Sequence, residues 1–176
     1  MNALIVYGSC YGTSQRYAQA LSQKTGIPAR PFRQVGSLDG VDTLVYIGGL
    51  YAGTVMGLKQ TLGKLPKEKH PRFLLATVGL GDPAREETVQ TIRASLAKQV
   101  PEALQKSAVY FHLRGGIDYK VLRPKHKLMM AMFIRFLKKK PRETMDPDTR
   151  TMVDTYGGAV DFVDLESLAP LIAQLT

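Results

Sequence analysis

The chain has 176 residues, 44% of them apolar and 22% charged, an ordinary balance for one globular domain able to bury a core. Basic residues outnumber acidic ones 24 to 15, a formal charge of +9 that favours anionic partners. No uncharged apolar run reaches the roughly 18 residues that cross a bilayer. The lone cysteine, Cys10, cannot close an internal disulfide, which fits a reducing, cytoplasmic setting. With three scattered histidines beside it, no metal-ligand spacing exists. The first residues enter an apolar strand pattern without a basic leader or cleavage site, so no signal peptide is expected.

Residues 3–7 (Ala3, Leu4, Ile5, Val6, Tyr7) read as a buried strand. A polar loop over 8–14 leads into a helix over about 15–24, closed by Gly26 and Pro28. A short second strand falls near 29–33 and a third over 42–48, followed by a Gly-rich loop and a helix around 58–65. Strand four covers 72–78. The turn Gly79-Leu80-Gly81-Asp82-Pro83, a helix over about 85–98 and strand five over 108–113 come next. The chain closes with a helix over about 165–175, for which Asp164 is the expected N-cap. Short apolar runs alternating with helical patterns are the signature of βαβ units. The expectation is a flavodoxin-like doubly wound α/β domain with five parallel strands in the order 2-1-3-4-5 and a ligand at the switch between strands one and three. Residues 114–163 are too long for a plain connection and read as an insertion within a single domain, 1–176.

The loops after strands one, three and four should meet at one sheet edge. The first, Gly8-Ser9-Cys10-Tyr11-Gly12-Thr13-Ser14, runs from a strand into a helix N-terminus, whose free N–H groups and positive dipole end suit a phosphate. Ser9, Thr13 and Ser14 add hydroxyls. The lysine of nucleotide-triphosphate loops and the Gly-x-Gly-x-x-Gly of dinucleotide sites are both missing, which leaves a monophosphate. By itself the loop also reads as an ordinary capped turn.

Ser9-Cys10-Tyr11-Gly12-Thr13-Ser14 resembles the Ser/Thr-x-x-Gly-x-Thr/Ser phosphate loop of flavodoxins, and Gly79-Leu80-Gly81-Asp82 resembles their loop after strand four. The matching plan covers about 1–113 and the last helix. The resemblance implies FMN as cofactor. Its phosphate would lie on Ser9, Cys10, Tyr11, Gly12, Thr13 and Ser14. Its ring would lie between Gly49, Leu50, Tyr51, Ala52, Gly53 and Thr54 on one side and Val78, Gly79, Leu80, Gly81 and Asp82 on the other. Tyr51 is the expected ring-stacking residue, the alternative being a Tyr packed on its own domain. Many flavodoxins place a stacking Tyr after Gly-Asp. Here Pro83-Ala84-Arg85-Glu86-Glu87 follows, leaving that ring face open to a substrate or partner. Asp82 reads as a turn residue, and Cys10, with no second cysteine, as a passive side chain.

The insertion concentrates the charge: residues 118–150 hold ten Lys/Arg against four acids, six of the nine net positive charges. Residues 125–140 read as a helix stopped by Pro141, with Met129, Met130, Met132, Phe133, Ile134, Phe136 and Leu137 covering an arc of about 200°, against about 100° for a helix docked on one surface. That width, the Met content and the flanking lysines match a helix on an anionic membrane or a partner, or one wedged inside the core. Arg114-Gly115-Gly116, Tyr119, this basic helix and the polar stretch 143–151 together resemble the flavodoxin-type, menaquinone-dependent protoporphyrinogen dehydrogenases, FMN proteins that use membrane quinones. The resemblance implies an oxidoreductase acting on protoporphyrinogen IX or a similar small molecule, peripheral on the inner face of the membrane. The alternative is an electron-transfer protein that docks a redox partner and turns over no substrate. No acid–base or nucleophilic arrangement is visible, and no stacking platform or helix-turn-helix supports nucleic acid.

Overall fold

The computed structural model describes residues 2–66 and 70–175. In chain order it comprises β1 (Ala3–Gly8), α1 (Thr13–Thr25), β2 (Ala29–Pro31), β3 (Thr43–Tyr51), β4 (Thr54–Val55), α2 (Leu58–Leu62), β5 (Arg72–Gly79), α3 (Glu86–Leu96), α4 (Glu102–Gln105) and β6 (Val109–Arg114). The insertion contributes β7 (Gly116–Asp118), α5 (Pro124–Leu137), α6 (Pro147–Asp154) and β8 (Ala159–Asp161), and α7 (Ala169–Ile172) ends the chain. The main sheet runs β2-β1-β3-β5-β6, all parallel, with β4 antiparallel against β3. With the short β4 set aside, this is the order 2-1-3-4-5 that the sequence implies.

Period-two alternation divides the strands between two layers. Val6, Leu44, Tyr46, Phe73 and Leu75 face α2 and α3, packing with Leu58, Leu62 and Leu96. Ile5, Val45, Ile47, Leu74 and Ala76 face α1 and the C-terminal segment, against Tyr17, Ala18, Leu21, Leu168 and Leu171. Covering both faces explains why β1, β3 and β5 are continuous apolar runs rather than alternating ones.

Several elements differ from their sequence readings; the helix read around 58–65 ends at Leu62, and α4 was not read. The second strand stops at Pro31, and Phe32–Gln34 turns as a 3-10 segment that buries Phe32. The third strand runs past 48 to Tyr51, because Leu50 pairs with Val55 and Tyr51 with Thr54. Ala52 (φ 47) and Gly53 (φ 77) make the left-handed two-residue turn between them. The last helix divides into a 3-10 turn, Leu165–Leu168, and α7, since Pro170 has no N–H to continue an α ladder. Asp164 does cap it, accepting from the Glu166 N–H at 3.0 Å. The insertion helix occupies Pro124–Leu137, with Pro124 in its first turn and Lys138, Lys139 and Lys140 beyond its end, where Pro141 disfavours helical geometry for Lys140.

The two ends of the insertion are paired. β7 and β8 pair antiparallel, Gly116 with Asp161 and Asp118 with Ala159, so its ends close on each other while α5 and α6 lie between. Among the described residues, no helix is long and apolar enough to cross a membrane.

Candidate functional site

The carboxyl ends of the central strands open onto one cavity of about 750 Å³, within the roughly 300–1,000 Å³ typical of small-molecule sites. Of the residues singled out from the sequence, Ser9, Cys10, Tyr11, Thr13, Ser14, Gly49, Leu50, Tyr51, Ala52, Val78, Gly79, Leu80 and Gly81 line it. Gly12, Gly53, Thr54 and Asp82 do not.

Each exception has a structural reason. Gly12 is the N-cap of α1 at φ 94, a backbone state that glycine enters without strain, and its N–H donates to Ser9 Oγ at 3.0 Å. The Gly53 carbonyl accepts from the Ser95 hydroxyl and, at 2.8 Å, from Gln99 Nε2, which pins the β3–β4 turn to α3. Thr54 follows in β4. Asp82 accepts from the Ala84 N–H at 3.0 Å and shapes its own turn.

The start of α1 is uncapped. Thr13, Ser14 and Gln15 occupy the first turn, where amides have no helical acceptor, and that turn has neither a side-chain cap nor an acidic residue. Ser14 is 1% exposed and its Oγ has no hydrogen-bond partner, a state that costs about 1–3 kcal/mol in a buried site. On the opposite wall the loop after β5 is held tightly. The Gly115 N–H donates to the Gly79 carbonyl at 2.6 Å, and Arg114 Nη2 reaches the Leu80 carbonyl at 3.3 Å. A Cβ on Gly81 would fall 2.8 Å from Thr88 Cγ2, so any side chain there would force Thr88 to shift.

The insertion forms the remaining walls. His126 of α5 hydrogen-bonds the Tyr11 hydroxyl through Nδ1, and that hydroxyl also accepts from the Arg123 N–H at 3.2 Å. The His126 ring lies 4.9 Å from the Tyr51 ring, tilted by 41°, and the Tyr51 hydroxyl meets Met129 Sδ at 3.3 Å. Tyr51 therefore joins the cavity rim to α5. Met129, Met130 and Phe133 supply an apolar wall. On the far side α6 grips the β5–α3 connection. Asp148 accepts from the Thr88 hydroxyl at 2.7 Å and the Asp82 N–H at 3.2 Å, and Arg85 Nη1 stands 3.8 Å from both Asp146 and Asp148. Burial opposes ionisation of Asp146, but the Thr149 hydrogen bonds and the Arg85 charge outweigh it and hold its carboxyl below the usual range.

Several cavity residues were not read from the sequence. His112, on β6, bonds Thr77 Oγ1 through Nδ1 at 2.8 Å, while its Nε2 is buried without a partner. Burial, and then the Arg93 charge, push its pKa down, so the imidazole is neutral near pH 7. Its place at the carboxyl end of the last strand is a signal that could have found it. His126 and Met152 reach the cavity only through the docking of the insertion, which no local pattern encodes, whereas Arg85 and Thr88 belong to the frame just beyond the loop after β5.

Strand order, crossover pattern and edge cavity define a flavodoxin-like α/β protein. A family model described as flavodoxin domain matches residues 4–144, most of the chain, and the protein belongs to that family. No curated protein matches it. Among solved structures, it is similar to oxidised flavodoxin 1 from Bacillus cereus at 10% identity, over 86% of this chain and 92% of that one, with a TM-score of 0.40. A flavodoxin from the domain Archaea aligns at 11% identity over 88% of this chain and 95% of its own, with a TM-score of 0.37. A flavodoxin variant from Pseudomonas aeruginosa aligns at 18% identity over 64% and 84%, with a TM-score of 0.35.

Proposed function

We propose that the protein is an FMN-dependent oxidoreductase that oxidises protoporphyrinogen IX or a similar flat, reduced organic molecule and passes the electrons to a membrane quinone. The cofactor reading rests on the start of α1. The first-turn amides and the buried, partnerless Ser14 hydroxyl fit a phosphate monoester, and the loops carrying Leu50, Tyr51, Gly79 and Leu80 fit the edges of a flat ring. Bound there, the flavin would supply hydride acceptance. The residues of this chain bind and orient: Tyr51 covers the rim, and Met129, Met130 and Phe133 exclude water.

The observation that favours substrate turnover over simple electron carriage is the roof. An electron carrier needs only an exposed ring edge, whereas this cavity continues past the ring loops to Ile92 and Met152 under α5 and α6. A mostly apolar room of that extent suits an organic molecule. His112, whose half-buried imidazole is neutral, lies within it and can take up a proton as hydride departs.

The membrane reading rests on the outer side of α5. Leu128, Met132 and Phe136 are 64%, 65% and 58% exposed there, beside Lys125, Lys139 and Lys140. The test is an anaerobic assay of FMN-loaded protein with protoporphyrinogen IX and menaquinone, read by porphyrin fluorescence. Fluorescence that grows only with both cofactor and quinone supports the reading. Reduction of ferricyanide by the pre-reduced protein, with no porphyrin formed, would place it among electron carriers.

A further inference from the structure

A second cavity, of about 190 Å³, lies wholly in the insertion and shares no lining residue with the first. It is bounded by Tyr119, Lys120, Lys127, Tyr156 and Gly157. Three stretches of chain meet there: the segment leaving β7, the first turn of α5 and the turn between α6 and β8. Tyr119 is fixed at both ends. Its N–H donates to the Gly158 carbonyl at 3.0 Å, and its ring meets Tyr156 edge-on with centroids 5.0 Å apart. The residue is 6% exposed, yet its hydroxyl has no hydrogen-bond partner.

The surrounding charges make this orphaned donor informative. Among the described residues, neither the Lys120 nor the Lys127 ammonium forms an ion pair or hydrogen bond. Asp118 accepts from the Lys120 N–H at 2.9 Å, which sets the turn presenting Lys120. Burial first, and then Tyr156, push the Tyr119 hydroxyl up from its usual pKa, so it remains a neutral donor. The residues bounding the cavity thus include two unpaired lysines and a tyrosine with one buried, partnerless O–H.

We propose that this cavity binds a phosphate monoester, with Lys120 and Lys127 balancing its charge and the Tyr119 hydroxyl donating to one of its oxygens. Two point-charge ammoniums and a single hydroxyl match a compact, several-oxygen dianion better than the planar carboxylate that an arginine fork would grip. Val121 and Leu128, which follow the two lysines in sequence, are 62% and 64% exposed. An apolar tail could lie along them, so the monoester is either the headgroup of a lipid such as phosphatidic acid or a small phosphorylated solute.

The test uses the protein as purified, with and without saturating FMN, so that failure of the flavin reading leaves it intact. Inorganic phosphate is titrated by phosphorus NMR line broadening. Vesicles containing phosphatidic acid or phosphatidylglycerol, matched in surface charge, are compared by co-sedimentation. Tyr119→Phe keeps the ring pair and deletes only the donor; Lys127→Gln, at an exposed helix position, is the companion variant that keeps the fold. Each should weaken phosphate binding about ten-fold or more while leaving FMN affinity unchanged. A preference for phosphatidic acid that Tyr119→Phe abolishes identifies the lipid source. Phosphate binding without that preference identifies a solute. If both variants match wild type in both arms, or wild type binds neither probe, the proposal is overturned.

Discussion

The α/β frame and the insertion handle apolar side chains in opposite ways. In the frame, Ile5, Val6, Val45, Ile47, Leu74 and Leu75 are fully buried, and the two sheet faces account for every apolar run. In the insertion, α5 buries only Ile134 and Leu137, commits Met129, Met130 and Phe133 to the cavity, and leaves Leu128, Met132 and Phe136 more than half exposed. A strand's apolar run is explained by the sheet it belongs to. The surplus on α5 is not absorbed by either sheet face: part of it lines the cavity and part of it faces outward.

The strongest way to break this contrast is a matched pair of truncations. Leu75→Ala should cost roughly 3–5 kcal/mol of stability, the price of a cavity in a packed core. Met132→Ala should fall within about 0.5 kcal/mol, as for exposed positions. Urea midpoints measure both, and a large loss at Met132 would mean that α5 is frame rather than surface. Charge gives the next test. Replacing Lys138, Lys139 and Lys140 together with Glu should lower binding to anionic vesicles more than about 100-fold at low salt, at about 1 kcal/mol for each lysine lost. Flavin affinity should not change. Co-sedimentation at low and high salt reads it, and indifference of the wild type to anionic vesicles would return the outer face of α5 to a protein partner.

Two further variants probe the seam between the regions. Gly12→Asp should reduce FMN affinity at least about 100-fold, because a carboxylate at the start of α1 repels the phosphate, and like-charge contacts cost several kcal/mol. Asp tolerates the left-handed backbone better than most residues, so circular dichroism should show the fold retained. Tyr51→Ala should weaken FMN about five- to ten-fold and loosen the first turn of α5, which Tyr51 holds through His126 and Met129. Unchanged affinity and flavin spectrum would make Tyr51 a tether for the insertion only.

The smallest effect belongs to His112. Its folded pKa is depressed, so below about pH 6.5 the unfolded chain binds a proton that the folded chain refuses, and stability falls as the pH drops toward the folded value. His112→Gln should flatten that part of the profile without altering stability near pH 7. Urea midpoints at about pH 7 and about pH 5.5 decide it.

Much of this was legible in the sequence because the frame obeys local rules. Residues 3–7, 44–47 and 73–76 are apolar on consecutive positions, as strands covered on both faces must be. The glycines and hydroxyls of 8–14 fit a strand-to-helix phosphate loop, but by themselves they read equally as an ordinary capped turn. What was not legible depended on distant partners. The extension of β3 to Tyr51 required pairing with β4, and the split of the last helix turned on Pro170. His126 enters the cavity because α5 docks on the loop after β1, and Asp148 because α6 docks on the loop after β5. The arc of about 200° on the insertion helix was visible. That it divides between a cavity wall and an exposed face required the fold.

The most direct measurement is the visible absorption spectrum of freshly purified protein, followed by FMN titration of the stripped and refolded chain. A yellow solution with oxidised-flavin bands, and saturable FMN binding lost in Gly12→Asp, is the expected result. A colourless protein that binds no FMN at any concentration tested would contradict the account at its centre.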